Sequence, residues 1–270
     1  MPEDLIAGHL TPWRVWDRGG LRPVLALHCS LAHSGAFAGL AERLAGVTLT
    51  ALDQPGHGRA ADWDGTGDLH DLTTRIAADL AQRIGAGGPV DIIGHSFGAT
   101  IALRLALDRP ELVRSLVLVE PPLFAAAMAD PAAAPQLAAQ ARVAALITQD
   151  REAGAAAFHA LWGSGEALAD LPERQRRYIT DRIHHIAAQT GALVHDSARL
   201  LRPGGLEGVA VPVLLVEGGD SPAVVDSIQS ALAARLPHAT RLIVPGAGHM
   251  VPITHPDLVA RAVQAHLDAA

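Results

Sequence analysis

The segment Val90-Asp91-Ile92-Ile93-Gly94-His95-Ser96-Phe97-Gly98-Ala99 decides the fold of this chain. Residues 90–94 form an apolar run typical of a buried strand, and the apolar spacing after Ala99 indicates a helix. Between them lies Gly-x-Ser-x-Gly, which places a serine on a very sharp strand-to-helix turn. The two glycines avoid Cβ clashes between strand and helix. The pattern therefore predicts a strained, outward-pointing Ser96 beside the amides of a helix N-terminus.

A serine held in this way is a candidate nucleophile. The alternative is a glycine-rich phosphate-binding loop or an ordinary tight turn, and a phosphate loop of the P-loop type requires a lysine. All 21 basic residues of the chain are arginine, so that lysine is missing. The same absence excludes chemistry through a lysine Schiff base.

Strand and helix patterns alternate through most of the chain. The predicted strands are residues 13–17, 24–28, 47–53, 90–94, 116–120, 211–218 and 241–245. The predicted helices are residues 36–45, 68–84, 99–108, 222–236 and 256–267. Continuous apolar runs such as Leu116-Val117-Leu118-Val119 are typical of parallel strands buried on both faces. The alternation predicts an α/β fold with a mostly parallel, doubly wound sheet of about seven or eight strands.

The alternation stops after Pro121-Pro122. Residues 123–203 are rich in alanine, show helical spacing and contain no strand pattern. An insertion of this size at one crossover is uncommon for a plain connection. We therefore expect a core domain formed by residues 1–122 and 204–270, and a lid of about four helices formed by residues 123–203. The alternative is that these helices merely cover the edge of the sheet.

Composition excludes several classes of function. The chain has 270 residues and a formal charge of −7, which argues against nucleic acid or an anionic membrane as the main partner. Cys29 is the only cysteine, so internal disulfides and cysteine-rich zinc sites are excluded. The first residues are acidic, unlike a signal peptide, and no apolar run is long enough to span a membrane. We expect a cytoplasmic protein with a small-molecule substrate, no metal and no cofactor; no feature indicates its oligomeric state.

Three further segments accompany the Ser96 turn. They are Leu27-His28, Asp53-Gln54-Pro55-Gly56-His57-Gly58-Arg59 and Pro245-Gly246-Ala247-Gly248-His249. With them, nearly the whole chain resembles the α/β-hydrolase family, in the lidded branch that contains esterases, lactonases, C–C bond hydrolases and cofactor-free haloperoxidases. Together the motifs are specific for the fold and poorly specific for the substrate.

The resemblance implies a general base late in the chain, in a glycine-rich loop after a strand. Among the 14 histidines, His249 matches that position, and the chain order serine, acid, histidine is retained. His57 then has a structural role, and His95 is a packing neighbour of the nucleophile. We expect four further histidines to be solvated or capping residues: His184, His185, His195 and His255.

Two positions compete for the acid that orients His249. The family usually has Gly-x-x-Asp after the strand that ends at Gly218, but the third residue on is Ser221, and Asp220 comes one residue early. Some family members, certain haloalkane dehalogenases among them, carry the acid at the end of the strand after the nucleophile helix. Glu120 closes that strand here, and a carboxylate there needs a partner. Glu120 is the favoured acid and Asp220 the alternative; Glu217 and Asp226 are less favoured.

Two backbone amides must stabilise the developing oxyanion in acyl transfer. The first is expected from Phe97, immediately after Ser96. The family usually has His-Gly in the loop that supplies the second, whereas this chain has His28-Cys29-Ser30-Leu31. The amide of Ser30 aligns best, with those of Cys29 and Leu31 as alternatives. Cys29 as a nucleophile is disfavoured because it has no strand–helix turn.

Five residues are candidates for the substrate pocket: His28, His95, Leu123, Phe124 and Trp162. For any one of the lid residues among them, a place in the core of the lid is the favoured interpretation. With one tyrosine and four phenylalanines in the chain, an aliphatic or small substrate is favoured over an aromatic one.

The sequence therefore predicts a serine hydrolase that cleaves a carboxylic ester, lactone or thioester through an acyl-enzyme. One alternative is C–C bond hydrolysis, or cofactor-free haloperoxidase or lyase chemistry, with the same residues. The other is a non-catalytic small-molecule receptor, with which the shifted acid and the missing His-Gly glycine are consistent.

Overall fold

A computed structural model describes residues 1–270, and its centre is one sheet of eight strands. The strands are β1 Glu3–Ile6, β2 His9–Asp17, β3 Arg22–Leu27, β4 Val47–Leu52, β5 Val90–His95, β6 Val113–Val119, β7 Val213–Gly218 and β8 Ala239–Val244. Their order in the sheet is β1-β2-β4-β3-β5-β6-β7-β8. Only the pairs β1–β2 and β2–β4 are antiparallel, which confirms the mostly parallel sheet.

Helices cover both faces of the sheet and fill the crossover between β6 and β7. They are α1 Ala38–Ala41, α2 Leu69–Ile84, α3 Phe97–Asp108, α4 Ala134–Gln149, α5 Arg151–Trp162, α6 Glu173–Arg182, α7 His184–Ala188, α8 Thr190–Val194, α9 Ala223–Ala233, α10 Val251–Thr254 and α11 Pro256–Ala269. None of these helices has the length and apolar character needed to cross a membrane.

The central strands are apolar throughout because both of their faces are buried. Successive side chains of a strand point to opposite faces, so Leu25 and Val24 enter different cores. Leu25 belongs to the cluster that includes residues of α2, α3 and α9. Val24 packs in the cluster that includes residues of α1 and α11. This arrangement is the physical basis of the continuous apolar runs in the sequence.

The structure departs from the expected elements at the edges. Strand β1 was not expected, because Glu3, Asp4 and Leu5 are exposed and show no alternation; pairing with β2 forms this strand. The helix expected over 36–45 is shorter, a 3₁₀ turn at Ser34–Phe37 followed by α1. Strand β6 begins earlier than expected and ends at Val119, which leaves Glu120 outside it at φ 46°.

Residues 123–203 contain no strand and hold helices α4 to α8. They have a small apolar cluster of their own, formed by residues such as Val143 and Ile147 of α4 and Ile183 beside α7. Trp162 and Leu193 of the same segment instead join the large cluster that contains α3. The segment therefore packs on the sheet domain through a few apolar side chains.

Candidate active site

Ser96 lies on the turn between β5 and α3 with φ 54° and ψ −121°, a conformation that non-glycine residues rarely adopt. Its amide donates to the Val119 carbonyl at 2.8 Å, and its own carbonyl accepts from the amide of Ala99 at 2.8 Å. A Cβ on Gly94 would overlap the backbone of Ala99, and one on Gly98 would overlap the Leu27 carbonyl. The two glycines of the motif thus have a steric explanation.

Three predicted residues from distant parts of the chain form one hydrogen-bonded series. His249 Nε2 lies 3.0 Å from Ser96 Oγ, and His249 Nδ1 lies 2.5 Å from Glu120 Oε2. Ser96 follows β5, Glu120 follows β6, and His249 stands in the loop after β8. The three side chains meet because the carboxyl ends of parallel strands lie at the same edge of the sheet.

Glu120 is held as a carboxylate in a buried position. Its other oxygen, Oε1, accepts from the amide of Gly218 at 2.7 Å and from Ser221 Oγ at 2.5 Å. Burial raises the pKa of Glu120, but the hydrogen bonds from His249, Gly218 and Ser221 outweigh burial and hold the pKa below its usual value. The carboxylate therefore stays charged beside His249 at neutral pH.

The other candidate acids lie away from His249. Asp220 is exposed in the turn after β7, and its side chain makes no hydrogen bond or ion pair, although its amide donates to Ala247. Glu217 is buried and paired with Arg241, which also binds Asp226. Of the four carboxylates considered from the sequence, only Glu120 contacts His249.

The amides of Ser30 and Phe97 donate to no acceptor in the protein. Phe97 begins α3, so its N–H points out of the positive end of a helix. Ser30 lines the same cavity as Ser96 and His249, whereas Cys29 and Leu31 do not. Burial raises the pKa of the Cys29 thiol to about 12, so that thiol stays protonated and is a poor nucleophile.

A cavity of about 340 Å³ opens over Ser96 and His249. Its walls are mostly side chains of residues 123–203, including Phe124, Phe158, Trp162, Ile186 and Leu193. Trp162 packs edge-on against the His249 ring with centroids 4.9 Å apart, and its Nε1 donates to Gln140 Oε1 at 3.1 Å. We call this space the acyl cavity.

Phe124 and Trp162 line the acyl cavity, but the other three pocket candidates do not. Leu123 is fully buried. His28 Nδ1 donates to the Cys29 carbonyl, its Nε2 accepts from the amide of Gln54, and burial lowers its pKa to about 4. His95 Nε2 donates to the His249 carbonyl at 2.9 Å, and burial lowers its pKa to about 3. Each ring is therefore buried and hydrogen-bonded to the backbone near the site.

Gln189 was not expected from the sequence. Its Oε1 accepts from Ser30 Oγ at 2.9 Å, its Nε2 has no partner, and the residue is 2% exposed while lining the acyl cavity. Helical spacing alone does not reveal a buried polar residue in an insertion. His185, expected to be solvated, is buried and lies 5.0 Å from the His57 ring, because the insertion covers the loop after β4.

Because several histidines are buried and uncharged, we expect the folded protein to lose stability in weak acid. Burial lowers the pKa of His57 and His95 to about 3, whereas an unfolded histidine titrates near its ordinary value of 6.5. Above pH 6.5 these histidines are mostly uncharged in both the folded and the unfolded protein. Below pH 6.5 they bind protons in the unfolded chain but not in the folded protein. We expect the free energy of unfolding to fall between pH 7.5 and pH 5 by about 2 kcal/mol per fully buried histidine.

Urea unfolding at pH 7.5, 6.5 and 5 measures this loss. The pKa of Glu120 lies below its usual value and burial raises that of Glu217, so the contributions of these two carboxylates near pH 5 have opposite signs. A midpoint that stays constant down to pH 5 would contradict the buried, uncharged state of these rings.

The fold and the arrangement of Ser96, His249 and Glu120 together indicate a class of protein. The family model of the alpha/beta hydrolase fold matches residues 22–256, and the chain belongs to this family. It is a hydrolase, as are its named relatives.

Two relatives match over most of their length. The chain is 30% identical to the pimeloyl-[acyl-carrier protein] methyl ester esterase of Xanthomonas campestris pv. campestris, over 89% of this chain and 92% of the relative. It is 28% identical to the 2-(acetamidomethylene)succinate hydrolase of Mesorhizobium japonicum, over 94% of this chain and 91% of that protein. The enol-lactonase of Burkholderia xenovorans LB400 superposes with a TM-score of 0.74 at 20% identity, covering 99% of this chain and 100% of the other, which shows the shared fold.

Proposed function

We propose that this protein is a serine hydrolase that cleaves a carboxylic ester, lactone or thioester of a small molecule through an acyl-enzyme at Ser96. The observation that carries the proposal is the series Ser96 Oγ, His249 and Glu120, with hydrogen-bond distances of 3.0 and 2.5 Å, at one end of an apolar cavity. A nucleophile, a base within hydrogen-bond reach and a group that orients the base are the elements of this chemistry.

The reaction begins with proton transfer from Ser96 Oγ to His249 Nε2 as Oγ attacks the substrate carbonyl. The negative oxygen of the tetrahedral intermediate accepts hydrogen bonds from the amides of Ser30 and Phe97, which have no acceptor in the protein. His249 then gives its proton to the leaving group, and the acyl-enzyme forms. His249 next activates a water molecule that releases the acid and restores Ser96.

Glu120 accepts from His249 Nδ1, which fixes the tautomer that presents a basic Nε2 to Ser96. The carboxylate also stabilises the imidazolium that forms during each half-reaction. Because Gly218 and Ser221 occupy its second oxygen, the Glu120 side chain has a single orientation toward His249. The acid thus acts from the end of β6.

Residues 123–203 act in this proposal as a lid that shapes the acyl site. Trp162 covers one side of His249, and the apolar side chains around it favour an aliphatic acyl group. The two relatives named above are, by their names, a methyl ester esterase and a hydrolase of an acylated succinate derivative. Hydrolysis of an acyl compound is common to both names. We place the activity in the cytoplasm, with which a single unpaired cysteine is compatible.

A non-catalytic receptor is less well supported than an enzyme. Glu120 is paired with His249 although the usual acid is missing after β7, and Ser30 of the loop without the usual glycine lines the cavity. A receptor needs neither a carboxylate paired with His249 nor a strained Ser96. The departures from the family pattern therefore leave a candidate residue for each role in the proposed reaction.

Turnover of p-nitrophenyl esters with acyl chains from acetyl to decanoyl tests the proposal. With substrate in large excess, we expect many turnovers per protein and an optimum at a short or medium chain, because the acyl cavity is only about 340 Å³. Treatment with a sulfonyl fluoride should block turnover and add one sulfonyl group to the peptide that contains Ser96. No turnover with any chain length, or label on another residue, would refute the mechanism.

A further inference from the structure

A second and larger cavity, of about 880 Å³, lies beside the acyl cavity and shares Ser30 and Trp162 with it. We call it the arginine groove after the four arginines that line it: Arg14 on β2, Arg59 in the loop after β4, and Arg174 and Arg182 on α6. It lies between the core loops and the helical insertion. Four basic side chains line the arginine groove, whereas the acyl cavity is mostly apolar and contains no arginine.

The four groove arginines have no carboxylate partner. Ten other arginines of the chain form ion pairs, and none of those ten lines the groove. The only acid in the groove is Asp53, whose two oxygens accept from the backbone amides of Ser34 and Arg59. A chain with a net charge of −7 therefore keeps a concentrated positive surface at this one cavity beside its active site.

Arg182 is fixed in place before any ligand arrives. Its Nε donates to the Gly56 carbonyl at 3.0 Å, and its guanidinium lies 4.0 Å from the centre of the Tyr178 ring. Tyr178 is itself held, since its hydroxyl donates to the Ala32 carbonyl and accepts from the Gly58 amide, both at 2.8 Å. Arg182 Nη2 makes no hydrogen bond in the protein. A half-buried guanidinium held in this way loses little entropy when it binds an anion.

The position of the arginine groove relative to Ser96 indicates which part of the substrate it faces, the acyl group or the leaving group. The acyl cavity holds Ser96 and His249 and is walled by apolar side chains, so the acyl group lies there. Ser30, the proposed oxyanion donor, lines both cavities, so the reacting carbonyl sits at their junction. The group bonded to the far side of that carbonyl is then directed toward the arginines.

We propose that the arginine groove binds the leaving group of the substrate, and that this leaving group is an alcohol or thiol that carries phosphate. Four guanidinium groups supply more positive charge than a single carboxylate would neutralise, and planar guanidinium groups match phosphate oxygens in pairs. This inference rests on the proposed function, since it concerns the same acyl transfer at Ser96. It narrows the substrate from any ester or thioester to one with an anionic leaving group.

Two thioesters with the same acyl group test the inference. The acyl group is the one preferred in the p-nitrophenyl series, joined in one substrate to coenzyme A and in the other to N-acetylcysteamine, which has the same thiol end but no phosphate. We expect kcat/KM for the coenzyme A thioester to be higher by roughly tenfold or more, mainly through KM. The advantage should shrink as salt is raised, because exposed charges are screened.

The double variant Arg59→Gln and Arg174→Gln provides the second arm. Both side chains are exposed and make no side-chain hydrogen bond, so their loss leaves the fold intact. We expect KM for the coenzyme A thioester to rise about tenfold, with the N-acetylcysteamine thioester unchanged. Arg261→Gln is the matched control: Arg261 is an exposed arginine of α11 without an ion pair, outside the groove, and its loss should change neither substrate.

The outcomes separate this inference from the function on which it rests. Equal kcat/KM for the two thioesters, unaffected by the double variant, would overturn the arginine groove as a leaving-group site while Ser96-dependent hydrolysis stands. A coenzyme A preference that survives the double variant would also overturn it. Absence of turnover with every thioester and p-nitrophenyl ester would refute the proposed function and the inference together.

Discussion

Ser96→Ala is expected to lower kcat/KM for p-nitrophenyl esters by roughly 10⁴-fold or more, to near the uncatalysed background. Alanine removes the only oxygen within hydrogen-bond reach of His249 Nε2, so no acyl-enzyme can form. The amides of Ser30 and Phe97 remain, and they account for any small residual rate. Initial rates at substrate concentrations around KM, corrected for spontaneous hydrolysis, measure the effect.

Two controls accompany the Ser96→Ala variant, one for folding and one for the loss of a serine elsewhere. Alanine at φ 54° is no more strained than serine, so the urea midpoint of the variant should stay close to that of the unsubstituted protein. Ser197→Ala changes an exposed serine outside the acyl cavity and should keep full activity. If Ser96→Ala retained the activity of the unsubstituted protein, the mechanism proposed here would be wrong.

Glu120→Gln is expected to lower kcat by about 10³–10⁴-fold with little change in KM. One amide and one hydroxyl, both donating to the second oxygen of Glu120, decide this result. Gly218 N and Ser221 Oγ donate to Oε1, so the glutamine oxygen stays with them and the amide NH₂ must face His249. An NH₂ group there requires His249 Nδ1 to accept, which puts the proton on Nε2 and removes the base from Ser96. The pKa of Glu120 lies below its usual value, so the native residue never donates in this way at neutral pH.

Asp220→Asn is the matched control for this variant. Asp220 lies in the turn after β7, one residue before the position at which the family usually has its acid, and its exposed side chain makes no hydrogen bond or ion pair. We expect its kcat and KM to equal those of the unsubstituted protein. Full loss of activity in Asp220→Asn, combined with normal activity in Glu120→Gln, would reverse the assignment of the acid.

Much of the fold could be predicted because its signals are local. The apolar runs of β5, β6 and β7 are buried on both faces, and such runs require a sheet covered on both sides. The predicted α/β class and mostly parallel sheet are confirmed by the strand order. Strand β1 could not be predicted, because Glu3 to Leu5 are exposed and only pairing with β2 makes them a strand.

The sequence alone left two candidates for the acid that pairs with His249. Glu120 and Asp220 both follow apolar strands, and their spacing from Ser96 or Gly218 does not say which one faces His249. The answer depends on the turns after β6 and β7, where Glu120 points inward at φ 46° and Asp220 points to solvent. Those directions depend on the packing of two adjacent strand ends, which neither segment encodes alone.

The sharp turn at Ser96 and the parallel sheet could be predicted from the sequence itself, because the residues that each of them requires are consecutive in the chain. A sharp turn needs glycines at two fixed positions, and a doubly buried strand needs an unbroken apolar run. The pairing of His249 with Glu120, the contact between Gln189 and Ser30, and the grouping of the four groove arginines were decided only by the tertiary structure. Each joins residues far apart in the chain, and the free energy that brings them together comes from burying the apolar surface of the whole domain.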